Sequence, residues 1–124
     1  MCMKTVTFDF DHTLLFEVNE PNEEGIAHFR KHMEAGDICH VVTSRHSSNP
    51  IMVQEIHDFL MRHELVAKSV IFTDGKEKLA TLREMGCDLH FDDDEHEVLD
   101  CWNAGIDAVQ VFNQEKWNEH MESL

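Results

Sequence analysis

Val6-Thr7-Phe8-Asp9-Phe10-Asp11-His12-Thr13-Leu14 is the stretch from which the rest of the chain is read. The β-branched and aromatic residues from Val6 to Phe10 run directly into two carboxylates two positions apart, the pattern of a buried strand ending at a polar rim. A strand that is apolar on both faces belongs to a parallel sheet, and parallel strands need long crossovers between them. The sequence on the carboxyl side supplies those crossovers.

After a linker from Glu17 to Pro21, Asn22 is placed to cap a helix whose first turn carries Glu23 and Glu24. Ile26, Phe29 and Met33 recur there at helical spacing, and Gly36 ends the run. Ile38 to Val42 reads as a second strand, followed by the polar loop Thr43 to Asn49. Pro50 opens a second helix with Ile56, Phe59 and Leu60 on its inner face. A third strand, Val70 to Phe72, precedes a helix from Lys76 to Met85 closed by Gly86, and a fourth, Leu89 to Phe91, runs into acids. A helix from Glu97 to Ala104, a strand from Ala108 to Phe112 and an amphipathic helix from Gln114 to Met121 complete the chain. This alternation predicts an α/β three-layer sandwich around a central five-stranded parallel sheet, in one domain spanning residues 1–124.

Composition narrows the function. With 25 acids against 10 Lys and Arg, the formal charge of -15 repels polyphosphates at long range, so bulk nucleic-acid binding is not expected. No apolar run approaches the roughly 18 residues of a membrane span, and the N-terminal apolar stretch is broken at once by Lys4 and Asp9. Cys2, Cys39, Cys87 and Cys101 form no C-x-x-C pair, which fits reduced thiols in a cytoplasmic protein. The 10 histidines are scattered, so a structural zinc site is not expected either.

Ligands of parallel α/β sheets bind outside the carboxyl ends of the strands. Those ends carry Asp9 and Asp11 after the first strand, Thr43, Ser44 and Arg45 after the second, and Asp92 and Asp93 after the fourth. Three separate segments thereby deliver carboxylates, hydroxyls and a cation to one edge. Carboxylate oxygens suit a hard cation such as Mg2+.

Asp9-Phe10-Asp11-His12-Thr13 matches the D-x-D-x-T signature of the haloacid dehalogenase superfamily, whose phosphatases the chain resembles from Val6 to Val111. The resemblance implies that Asp9 is the nucleophile that becomes an aspartyl phosphate and that Asp11 is general acid and then general base. It also implies a magnesium site of Asp9, Asp11 through its backbone carbonyl, and Asp93 directly or through water, with Asp92 orienting the shell and Asp94 competing with Asp93 because the acidic run blurs the register. Thr43 matches the family's hydroxyl at a strand end, which with the amides after it can hold phosphate oxygens. Ser44 and Arg45 follow as further phosphate contacts, Arg45 through its bidentate fork. His12, where many relatives have Gly, is a candidate substrate contact. The family's lysine is Lys78, with Lys76 as the reserve. The gaps between motifs hold no cap domain, which implies a site open to solvent.

Val42-Thr43-Ser44-Arg45 and the segment from Phe91 to Val111 are similar to the 3'-phosphatase domains of phage polynucleotide kinases. That likeness implies a nucleotide or nucleic-acid end as substrate, beside the wider class of phosphorylated small molecules. The sequence holds no Gly-rich kinase phosphate loop, so the kinase activity is not expected. Two other readings use the same residues: a receiver-like phospho-accepting domain, and a metal-binding partner protein with weak turnover. The receiver places its acidic pair after the first strand, whereas here the pair follows the fourth.

Overall fold

The computed structural model describes residues 3–16, 20–111 and 121–122. Five strands, β1 (Thr5–Phe8), β2 (Ile38–Thr43), β3 (Val70–Phe72), β4 (Leu89–Asp92) and β5 (Asp107–Gln110), form one sheet in the order β3-β2-β1-β4-β5. Every pairing is parallel, as the apolar strands predict. Chain order runs outward from β1 through β2 to β3, then resumes on the other side of β1 with β4 and β5. The crevice between the carboxyl ends of β1 and β4 is therefore the switch point at which such sheets bind ligands.

Alternation along the strands sends side chains to two cores. On one face Val6, Phe8, Val41 and Phe91 meet Ile26 and Phe29 of α1 (Glu23–Glu34) and Ile56, Phe59 and Leu60 of α2 (Pro50–Arg62). On the other face Val42 and Ala108 meet Leu82 of α3 (Leu79–Met85) and Val98 and Cys101 of α4 (Glu95–Asn103). These are the three layers. Phe8 stacks on Phe91 across the β1–β4 pair with ring centroids 4.8 Å apart, which stiffens the floor directly beneath the switch point. Met52, in the first turn of α2, is exposed, and Val53 is half-buried.

Caps explain most of the helix boundaries. Asn22 accepts the Glu24 amide at the head of α1, and Asn49 accepts that of Met52 at the head of α2, with Pro50 in the first turn. Two expected starts are corrected. The third helix begins at Leu79 rather than Lys76, because Lys76 belongs to the turn after β3: its amide donates to Thr73 O at 3.1 Å and its carbonyl accepts the Thr73 hydroxyl at 2.6 Å, with Asp74 and Gly75 left-handed between them at φ 55° and 83°. The fourth begins at Glu95 rather than Glu97, because the Asp94 carboxylate caps it by accepting the His96 amide at 2.8 Å. The strand expected from Ala108 to Phe112 is observed as Asp107–Gln110, and Phe112 lies outside the described residues. So do residues 17–19 of the linker and, apart from Met121, the expected terminal helix. Among the described residues no helix is long and apolar enough to cross a membrane.

Candidate functional site

Asp9 leaves the end of β1 with its backbone amide donating to Phe91 O of β4 at 2.9 Å, so the first carboxylate is pinned against the strand that carries the acidic pair. Ligand oxygens of Asp9, Asp92 and Asp93 lie within 4.8 Å of one another, and all three residues are buried. The Lys78 ammonium, 4% exposed, sits between the first two, 2.9 Å from Asp9 Oδ1 and 2.8 Å from Asp92 Oδ2. Three carboxylates face one ammonium, and such an excess of buried negative charge with oxygen donors fits a hard divalent cation.

The electrostatics separate the acids. Burial, reinforced by the charge of Asp92, raises the Asp9 pKa well above its ordinary value against the pull of Lys78. Burial acts in the same direction on Asp92, but the His90 hydrogen bond and the Lys78 charge outweigh it and bring Asp92 below the usual carboxylate range. Burial lowers the Lys78 pKa, yet Asp9 and Asp92 together raise it above its ordinary value, which keeps the ammonium charged. Thr13 donates from Oγ1 to Asp9 Oδ2 at 3.1 Å, so each Asp9 oxygen has a fixed partner.

The turn carrying these groups is built tightly. His12 takes a left-handed φ of 65°, a conformation that favours Gly, and its carbonyl accepts from Asn22 Nδ2 at 3.2 Å. Asn22 thus caps α1 and holds the turn together. Gly25 of α1 presses against the same turn: a Cβ there would stand 1.8 Å from Thr13 O. Asp9, Asp11, His12, Ser44, Asp93 and Glu97 are among the residues lining a cavity of about 230 Å³ at this edge.

The two lysines part company. Lys78 is the last residue before α3 and reaches into the crevice, whereas Lys76 lies exposed in the turn after β3. The acids also sort themselves: Asp93 joins the cluster, while Asp94 is exposed and spends an oxygen on the α4 cap. Thr43 is fully buried, and its Oγ1 accepts the Arg45 amide at 3.2 Å.

Asp11 lines the cavity, but its carboxylate is not one of the three that cluster. Its carboxylate is gripped by Arg45, Nε to Oδ2 at 2.9 Å and Nη2 to Oδ1 at 2.7 Å, so the fork expected to meet phosphate is engaged by the chain's own acid. Arg45 Nη2 also lies 2.6 Å from Glu55 Oε1, and Nη1 donates to Met52 O at 2.8 Å. Burial opposes the Arg45 charge, but the bonds from Asp11 and Glu55 prevail and raise its pKa.

Two participants escaped sequence reasoning. His90, one of the scattered histidines, is fully buried and lies 2.9 Å from Asp92 Oδ2 through Nε2 and 2.7 Å from Thr7 Oγ1 through Nδ1. Burial lowers its pKa against the pull of Asp92, and in the neutral tautomer that suits an ionised Asp92, Nε2–H donates to that carboxylate and Nδ1 accepts the Thr7 hydroxyl. The signal was a polar residue inside an apolar strand. Glu97 lines the cavity, and its Oε2 is buried without a hydrogen-bond partner among the described residues. Burial raises its pKa. Placing the helix start at Asp94 from the D-x-x-E pattern puts Glu97 in the first turn, facing the loops.

No protein-family model matches the chain, and no curated protein matches it either.

Proposed function

We propose that this chain is a magnesium-dependent phosphomonoester hydrolase of the haloacid dehalogenase type, working through a phosphorylated Asp9. The observation that carries the reading is the convergence of Asp9, Asp92 and Asp93 to within 4.8 Å around an edge that also presents the Lys78 ammonium.

Asp9, Asp92 and Asp93 would hold Mg2+, which when bound offsets the repulsion between the carboxylate nucleophile and a phosphate dianion. Lys78 supplies a further fixed positive charge beside the nucleophile. An Asp9 oxygen attacks phosphorus as the bond to the leaving oxygen breaks, and Asp11 gives that oxygen its proton. Water then attacks the phosphorus, Asp11 takes the water's proton, and the bond to Asp9 breaks to release inorganic phosphate. Thr13 keeps the Asp9 carboxylate in one orientation throughout. Ser44 at the cavity edge is placed to meet phosphate oxygens, and Thr43 supports the loop from beneath.

The substrate class is a phosphorylated small molecule or a nucleotide end; the formal charge of -15 disfavours long polyanions. The receiver-like alternative lacks support in the chain order, since the acidic pair follows β4 and not β1. Release of p-nitrophenol from p-nitrophenyl phosphate tests the proposal: turnover is expected with Mg2+, none with chelator, and none in Asp9→Asn. Turnover that survives Asp9→Asn sinks the assignment of the nucleophile. Stoichiometric phosphorylation by a small phosphodonor without turnover favours the signalling reading instead.

A further inference from the structure

Arg45 is held from several sides. Its guanidinium carbon lies 4.9 Å from the Phe10 ring centroid, Nη1 is tied to Met52 O, and its side chain is 7% exposed. Its two acidic partners, Asp11 and Glu55, are each 43% exposed and approach from the solvent side. The buried cation is the fixed part of this assembly and the carboxylates are the movable parts. A buried guanidinium left without an anion is costly, so one partner can depart cheaply only where another stays.

The geometry points to Glu55 as a positioning residue that holds the Arg45 charge while Asp11 swings from Arg45 to the leaving oxygen. Nη2 carries two hydrogens and meets both acids, Asp11 at 2.7 Å and Glu55 at 2.6 Å, so two anions share one positive charge and neither holds it alone. Glu55 stands on α2, and no motif of the first, second or fourth strand ends includes it. It acts on Asp11 through Arg45, without touching substrate. The catalytic consequence rests on the phosphatase reading; the sharing of Arg45 does not.

Glu55→Gln removes the second anion, so Asp11 must grip Arg45 harder and its release must leave a buried charge unpaired. Two measurements test this. Exchange of the Arg45 Nε hydrogen, followed by NMR, is expected to slow about threefold or more in Glu55→Gln, and that slowing is expected to vanish in an Asp11→Asn background. A merely structural Glu55 would shift exchange equally in both backgrounds, and unchanged or faster exchange in Glu55→Gln overturns the proposal. With p-nitrophenyl phosphate, kcat is expected to fall about tenfold with KM within about twofold; a loss carried by KM overturns it, because Glu55 would then contact substrate. If the wild type hydrolyses no phosphomonoester while the exchange result holds, the phosphatase reading fails and the Glu55–Arg45–Asp11 coupling stands.

Discussion

Lys78 Nζ stands 2.9 Å from Asp9 Oδ1 across 69 positions of sequence, and 2.8 Å from Asp92 Oδ2 across 14. This ammonium is the counter-charge that lets two buried carboxylates face each other away from bulk solvent.

Lys78→Met is therefore expected to destabilise the metal-free protein by about 3–5 kcal/mol, the usual cost of stranding buried charge. Lys76→Met, on the exposed turn, should stay within about 0.5 kcal/mol of the parent. Urea denaturation of both variants checks the contrast, and equal losses would remove Lys78 from its role as counter-charge.

Asp9→Asn should have the opposite sign in chelator. The Asp9 pKa is raised by burial first and by Asp92 second, so its charge is resisted by the fold, and neutralising it should stabilise the metal-free protein. Magnesium should reverse the ranking, raising the thermal midpoint of the parent more than that of the variant. Differential scanning calorimetry with and without Mg2+ reads both effects; an equal magnesium shift in the two proteins would exclude Asp9 as a ligand.

Acid should act in two stages on the metal-free protein. Asp9 binds its proton more tightly folded than unfolded, so stability grows from this group as pH falls from neutral through its raised pKa toward 3.8. Asp92 lies below 3.8 when folded, so its contribution is kept above that value and lost only as pH falls through the lowered pKa. Relative to Asp9→Asn, the parent's thermal midpoint should climb on mild acidification. A parent and variant that track each other throughout would contradict the raised pKa.

Gly25→Ala should be felt at the site although Gly25 carries no chemistry. Its Cβ would stand 1.8 Å from Thr13 O, and either α1 or the turn must shift, at a cost of about 1–3 kcal/mol. Because Thr13 orients Asp9, kcat should drop beyond what the stability loss predicts at temperatures where the variant is folded. Unaltered kcat would mean that the turn absorbs the methyl without moving Asp9.

Most of the fold was readable from the chain because parallel sheets write themselves in buried apolar runs. Val6 to Phe8, Val41 to Val42 and Leu89 to Phe91 are apolar or polar-satisfied on both faces, and the helices between them carry their caps openly at Asn22 and Asn49. Misplaced starts came from local devices with weak sequence signatures. The turn that ties Lys76 back to Thr73 delays α3, and Asp94, one acid among several, turns out to be the cap of α4.

What the sequence determined by itself was which residues stand at strand ends, since apolar periodicity and the sudden arrival of acids are local properties of the chain. Which of those residues meet was decided by tertiary structure, because contact depends on strand order and on the angles at which loops leave the sheet. The β1–β4 pairing sets Thr7 opposite His90 and so gives the ring its second hydrogen-bond partner, and the turn after β3 sends Lys78 inward while leaving Lys76 in water. The grip of Arg45 on Asp11 spans 34 positions and is shared with an acid from α2, an arrangement that no spacing along the chain encodes.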